Sequence, residues 1–341
     1  MSKLVVVVGA TGSQGGAVIS ALLQDPIFKI RGLTRNRNSK GAQALAAQGV
    51  EVVAADLNDE KSLIEAFRGA HAIYAITNFF EPFVTEGPEK AVEIEYQQGL
   101  NLARAASKTS TLEHYIWSTL PDAMALSKGQ VAVPHFAAKA RVDEFIKADK
   151  ALLSKTVFLW ITFYASNLFF PMFTPIDAKP VGRHIIMLPV APTTQVASLG
   201  PLSNVGLAVR TVLTNPFTIP NADALSSTPA RYLLLTTGFY DFRDYYNIWA
   251  KAANGKTASG TTNLDVEVLE ISVDAYDTLW PLWGKEMRLM LEFWELVGPE
   301  KSWSTVHGDD VMVRLQDLLK ETGPAMVGTE EAFGELDWSS V

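Results

Sequence analysis

Glycines at positions 9, 12 and 15 follow four consecutive valines, Val5 to Val8, and precede the apolar run Ala17-Val18-Ile19-Ser20-Ala21-Leu22-Leu23. A buried strand, a tight turn and a helix start, in that order, suit a dinucleotide pyrophosphate. Glycines let the backbone approach phosphates, and the helix start offers free N–H donors and the positive end of its dipole. The spacing is G-x-x-G-x-x-G, not the G-x-G-x-x-G of the standard dehydrogenase fingerprint. Alone, it also fits a simple strand-to-helix turn. Its place between this strand and this helix favours nucleotide binding, with Thr11, Ser13 and Gln14 inside the loop.

A second group of charges follows the next apolar stretch. Arg35, Arg37 and Lys40 lie within six residues, twenty or so after Gly15. An NAD-specific fold places an acid at that point for the ribose 2′-hydroxyl, whereas an arginine accommodates a 2′-phosphate. A guanidinium fork matches phosphate geometry and keeps its charge. The competing reading is a solvated basic loop; the position favours NADP(H). Asp56-Leu57 stands where such folds face the adenine, or is a turn aspartate before a helix. Asn78 follows another apolar stretch and offers both donors and an acceptor. Nearby Phe79, Phe80 and Phe83 fit a substrate pocket wall or plain core equally.

His135 and Lys139 are four residues apart, so their side chains share one helical face. A lysine there can hydrogen-bond a nicotinamide ribose and present charge to a developing oxyanion. Arg141 and Lys147 on the same stretch keep open the reading of an ordinary surface lysine.

The elements that must hold these residues alternate. Strands are expected at Leu4–Gly9, Phe28–Thr34, Glu51–Ala55, Ala72–Ile76, His114–Ser118 and Val157–Trp160. Helices are expected at Gly15–Gln24, Gly41–Gln48, Glu60–Arg68, Glu89–Lys108 and His135–Lys147. Such alternation predicts βαβ units and a parallel sheet. Beyond residue 160 the pattern changes. Six prolines in 171–202 forbid a single regular element there. Helices near Ser203–Thr214, Asp241–Ala253 and Glu286–Val297 and strands near Arg231–Thr237 and Asp265–Ile271 follow, and the acidic tail Gly328–Val341 reads as partly mobile. The fold class is therefore α/β: a Rossmann-like, doubly wound parallel sheet over 1–160, with a smaller C-terminal α/β substrate-binding cap over 161–341 that is partly interleaved with the sheet.

With 341 residues, 48% hydrophobic and 19% charged, the chain can bury a large core in one or two domains. It has no cysteine, which excludes disulfides, thiolate catalysis and cysteine–metal sites, and no metal site is read. A net charge of −8 argues against nucleic-acid binding. The start lacks a signal peptide's features, and no window approaches a membrane span, so a cytoplasmic protein is expected.

The chain resembles the NmrA-like branch of the atypical short-chain dehydrogenase/reductases, which includes isoflavone reductase-like enzymes. The resemblance rests on the Gly9–Gly15 run, Thr34-Arg35, Asp56-Leu57, Pro134-His135-Phe136 with Lys139 and Val142, Phe163-Tyr164 with Asn167-Leu168, Val205-Gly206 before Asn215-Pro216, and Glu286-Met287 with Glu295 and Gly298. It implies NADP(H) as cofactor and adds Tyr164 and Asn167 to the cofactor-binding set. The superfamily's usual catalytic set is Ser, Tyr and Lys, with Tyr four residues before Lys. Ser118 and Lys139 match; His135 holds the tyrosine place. Three activities stay open: an NADPH-dependent reductase of a small apolar, aromatic or polycyclic metabolite, supported by Lys139 and the aromatic residues Phe163, Tyr164, Phe169, Phe170, Phe173, Trp280 and Trp283; an NADP(H)-sensing regulator with a protein partner, supported by the missing tyrosine; or a non-redox isomerase or cyclase. A homodimer is compatible with each.

Overall fold

The computed structural model describes residues 2–179, 183–215, 229–308, 310–320 and 323–341. Six strands come first: β1 (Lys3–Val7), β2 (Phe28–Thr34), β3 (Glu51–Ala54), β4 (Ala72–Ala75), β5 (His114–Thr119) and β6 (Thr156–Ile161). Short strands follow: β7 (Phe163–Tyr164), β8 (Ile176–Ala178), β9 (Arg183–Leu188) and β10 (Gln195–Gly200). Then come β11 (Arg231–Leu235), β12 (Gly238–Asp241), β13 (Asp265–Glu270) and β14 (Val311–Arg314).

The main sheet has eight strands in the order β14-β11-β6-β5-β4-β1-β2-β3. Its neighbours all pair in parallel. The chain starts at β1, steps to β2 and β3, then crosses to β4 on the other side. This reversal opens a crevice at the carboxyl ends of β1 and β4, where open α/β sheets hold ligands. The expected Rossmann-like sheet is present. Two of its strands, β11 and β14, come from beyond residue 160.

Both faces of the sheet are covered, which explains the near-continuous apolar strands. Val6, Ile73, Tyr115, Trp117, Phe158 and Trp160 enter one core. The alternating Val5, Val7, Ala72, Tyr74, Ile116 and Leu159 enter the other. On the first face, helix Pro88–Ser107 packs against helix Pro134–Ala148, the carrier of His135 and Lys139. The approach is close: a Cβ on Gly99 would lie 2.4 Å from Val142 Cγ2. This contact fixes the height at which Lys139 meets the crevice.

The proline-rich window 171–202 holds three strands, β8, β9 and β10, that the sequence did not announce. They build two small three-stranded sheets, β12-β10-β7 and β13-β9-β8. Pro180 and Pro216 lie outside the described residues. The tail departs from expectation. It forms helix Thr329–Glu335, and Trp338 is fully buried. The Trp338 indole donates to Phe333 O at 2.7 Å and stacks on Phe169 at 4.7 Å. Acidic composition hid one large anchoring residue, whose burial gains about 2 kcal/mol or more.

Candidate active site

The three glycines have different tasks. Gly9 has φ +65°, a left-handed conformation that turns the chain after β1. A Cβ on Gly15 would lie 2.2 Å from Gly9 O, so this glycine serves the packing of helix on turn. Gly12 is the N-cap of helix Ser13–Leu22. No side chain caps that helix, and its first turn has no acid. Its first N–H groups therefore keep their donor capacity, and the dipole's positive end faces the crevice.

A cavity of about 960 Å³ runs along the carboxyl edge of the sheet. Gly9, Thr11, Gly12, Ser13, Gln14, Gly15, Arg35, Asp56, Leu57, Asn78, Ser118, His135, Lys139, Tyr164 and Asn167 all line it. Arg37 does not; it is exposed to solvent beyond the wall. Arg35 pairs with Glu81 at 2.5 Å, and both side chains are more than half exposed. That hydrogen bond raises the Arg35 pKa above its ordinary value. Asp56 accepts from Asn58 N and Asn58 Nδ2, both at 2.9 Å, so it is a turn aspartate as well as a wall residue. Asn78 Oδ1 accepts from Phe80 N at 3.2 Å.

Gln14 is the hub of the cavity floor. Its Oε1 accepts from Ser118 Oγ at 2.9 Å and from the Tyr74 hydroxyl at 2.5 Å, and its Nε2 donates to the Tyr164 hydroxyl. Burial pushes the Tyr164 phenol up to about 12, so it stays protonated. Ser118 thus bonds the glycine turn, whereas Lys139 reaches the Ser118 carbonyl instead of its hydroxyl.

Lys139 is buried among oxygen atoms. Its Nζ lies 2.9 Å from Thr77 Oγ1, 3.3 Å from Ser118 O and 3.3 Å from Glu95 Oε1. Thr77 Oγ1 donates to the same carboxylate at 2.8 Å. The ammonium also stands 5.1 Å from the Trp117 ring centroid. His135 is paired as well. Glu286 Oε1 accepts from His135 N at 3.0 Å and faces His135 Nδ1 at hydrogen-bond distance. Glu286 therefore occupies the N-terminus of helix Pro134–Ala148, where the dipole favours a carboxylate. The pairing directs a proton on Nδ1 toward Glu286. Nε2 has no hydrogen bond among the described residues.

Glu95 was not singled out from sequence, Thr77 received no role there, and Glu286 entered only among the residues that carry the resemblance. A signal existed for the two acids. Ala91, Glu95, Gly99, Leu102 and Ala106 share a helical face, as do Glu286, Met290 and Phe293. An acid on an apolar face requires a partner.

Beyond His135 the wall becomes aromatic and thioether-rich: Phe80, Phe173, Trp283, Met287, Met290 and Trp294. Phe80 stacks on Trp283 with ring centroids 5.4 Å apart. Trp283 follows Leu282, whose φ of +68° is unusual for a residue with a branched side chain.

A strand, glycine turn and uncapped helix at the reversal of a parallel sheet define a Rossmann-like protein. The chain belongs to the NmrA-like family, whose sequence model matches residues 1–270. An NmrA-like family domain-containing oxidoreductase of Aspergillus hancockii is 29% identical over 176 residues, 51% of this chain and 50% of its own length. A second, from Aspergillus campestris, is 36% identical over 147 residues, 42% of each chain. The chain thus spans half or less of these two relatives. Among solved structures, NmrA, a negative transcriptional regulator, in complex with NADP, is similar with a TM-score of 0.70 and 20% identity, covering 98% of this chain and 95% of that one. The Citrobacter sp. triphenylmethane reductase complexed with NADP(H) has a TM-score of 0.66 at 20% identity, covering 98% and 99%. These similarities are of fold.

Proposed function

We propose that the chain is an NADPH-dependent reductase of a small, flat, apolar metabolite of aromatic or polycyclic type. One observation carries the reading: the crevice continues past the buried Lys139 and His135 into a chamber walled by Trp, Phe and Met. The nucleotide end fits a dinucleotide, because the uncapped helix start and Arg35 are its anion-seeking groups. NADP complexes of the NmrA regulator and the triphenylmethane reductase support the same cofactor.

When bound, NADPH supplies a hydride for a C=O, C=C or C=N carbon. The remaining work falls to the chain. Lys139, fixed by Glu95 and Thr77, orients a ribose hydroxyl and stabilises negative charge. Tyr164, Asn167, Asp56, Leu57 and Asn78 border the nucleotide, with Gln14 and Ser118 holding the floor rigid. His135, its Nδ1 turned to Glu286, delivers a proton from Nε2 to the reduced substrate and regains one from water. Phe80 and Trp283 exclude water at the mouth.

One observation favours a second reading, an NADP(H)-sensing regulator with a protein partner. Lys139 is already surrounded by three oxygen acceptors, which a ribose must share. The distinguishing experiment follows NADPH oxidation by the purified chain with conjugated aromatic ketones, enones and imines. Turnover supports the reductase. Its absence across the panel, with NADPH and NADP⁺ changing oligomeric state or protease sensitivity differently, establishes the sensor.

A further inference from the structure

We infer that His71, Glu113 and His114 form a zinc-binding site at the amino edge of the sheet, opposite the cavity. One donor atom from each residue lies within 4.8 Å of the other two. The sequence hides the set, because His71 is far along the chain from the other two. The sheet unites them. His71 immediately precedes β4, while Glu113 precedes and His114 opens β5, and β4 pairs with β5 in parallel with Ala72 opposite His114.

The main chain fixes this arrangement. His71 O accepts from Glu113 N at 2.9 Å and from His114 N at 3.2 Å, and His71 N donates to Leu4 O at 2.8 Å. The two imidazole rings stand 5.4 Å apart at 68°. His71 Nε2 is buried without a hydrogen-bond partner. Two imidazoles and a carboxylate brought this close form a nitrogen and oxygen donor set for a cation. His71 Nδ1 and Glu113 Oε1 are 3.4 Å apart, close to the separation of about 3.4 Å that tetrahedral zinc ligands adopt.

The chemistry agrees with zinc. The donors are nitrogen and oxygen, since the chain has no cysteine. Two imidazoles and a carboxylate leave a fourth, water-filled position. The Glu113 side chain is 66% exposed. A bound ion would clip the amino ends of β4 and β5 together, remote from the crevice that holds Lys139.

The test is calorimetric titration of zinc chloride into the tag-free, chelator-treated full chain. The expected result is one zinc per chain, with affinity at least tenfold weaker in Glu113→Gln and in His114→Ala. Cobalt(II) should give the visible absorption of a four-coordinate site in wild type and lose it in His114→Ala. Glu113 is exposed, so its variant folds and keeps the test decisive should a histidine variant fail. Absence of zinc binding up to about 100 μM overturns the proposal. Equal binding by wild type and both variants, an adventitious ion only, also overturns it.

Discussion

Two ion pairs line the same cavity and differ most in their exposure. Lys139 and Glu95 have side chains 10% and 1% exposed; Arg35 and Glu81 are 70% and 52% exposed. The buried pair has paid for desolvation and has further partners, so it holds one geometry. The exposed pair is screened by water, contributes about 0–1 kcal/mol, and can open for a phosphate. Lys139 is pre-organised, while Arg35 is a recruitable cation. The contrast in exposure also shows why two cation–carboxylate pairs demand different experiments.

The largest effect should follow from orphaning the buried acid. Lys139→Ala leaves Glu95 without its cation and should cost about 3–5 kcal/mol of stability in urea unfolding. Lys139→Ala with Glu95→Leu should recover most of that loss. Failure to recover would show that the pair is not coupled.

Asp143 extends the comparison to a third buried charge. It lies on the Lys139 helix and accepts from Trp117 Nε1 at 2.8 Å and Thr119 Oγ1 at 2.7 Å. Burial pushes its carboxyl up to about 7, against the hydrogen bonds from Thr119, Trp117 and Tyr232 and the charge of Lys147. An acid raised in the folded state contributes stability that is complete below about pH 4 and is lost as pH rises to about 7. The loss is about 4 kcal/mol at about 1.36 kcal/mol per pH unit. The difference in stability between wild type and Asp143→Asn, followed from pH 4 to 8, should change by that order. A constant difference would mean that Asp143 titrates normally.

At the exposed end, Arg35→Ala should weaken NADPH binding by about 1.5–3 kcal/mol while leaving NADH nearly unchanged. Fluorescence titration of both cofactors measures this, and equal losses for both would remove Arg35 from the 2′-phosphate. The smallest effect belongs to Glu81→Gln. It should alter stability by less than about 1 kcal/mol and tighten NADPH a few-fold by freeing Arg35. Weaker NADPH binding in this variant would mean that Glu81 positions Arg35 for the ligand.

The readable parts of the sequence were those governed by local rules. Four valines and three glycines place β1, the turn and helix Ser13–Leu22, because strand burial and turn sterics act over neighbours. His135 and Lys139 meet the cavity because helical spacing sets direction. What escaped depends on distant chain. Glu286 reaches His135 across 151 positions, and Glu95 reaches Lys139 across a helix pair closed by Gly99. Arg37 reads like Arg35 until the loop's path is known. β8, β9 and β10 carry too few residues between prolines to show a period.

The central claim is that the buried cation performs chemistry. The direct measurement is steady-state NADPH oxidation on a turned-over aromatic substrate by wild type, Lys139→Arg and Lys139→Ala, at a temperature where all three are folded. Removing one pre-organised electrostatic donor should lower kcat for Lys139→Ala by roughly 10²-fold or more, with KM for NADPH rising much less and Lys139→Arg in between. Equal kcat in wild type and Lys139→Ala would contradict the account and leave Lys139 as a structural partner of Glu95.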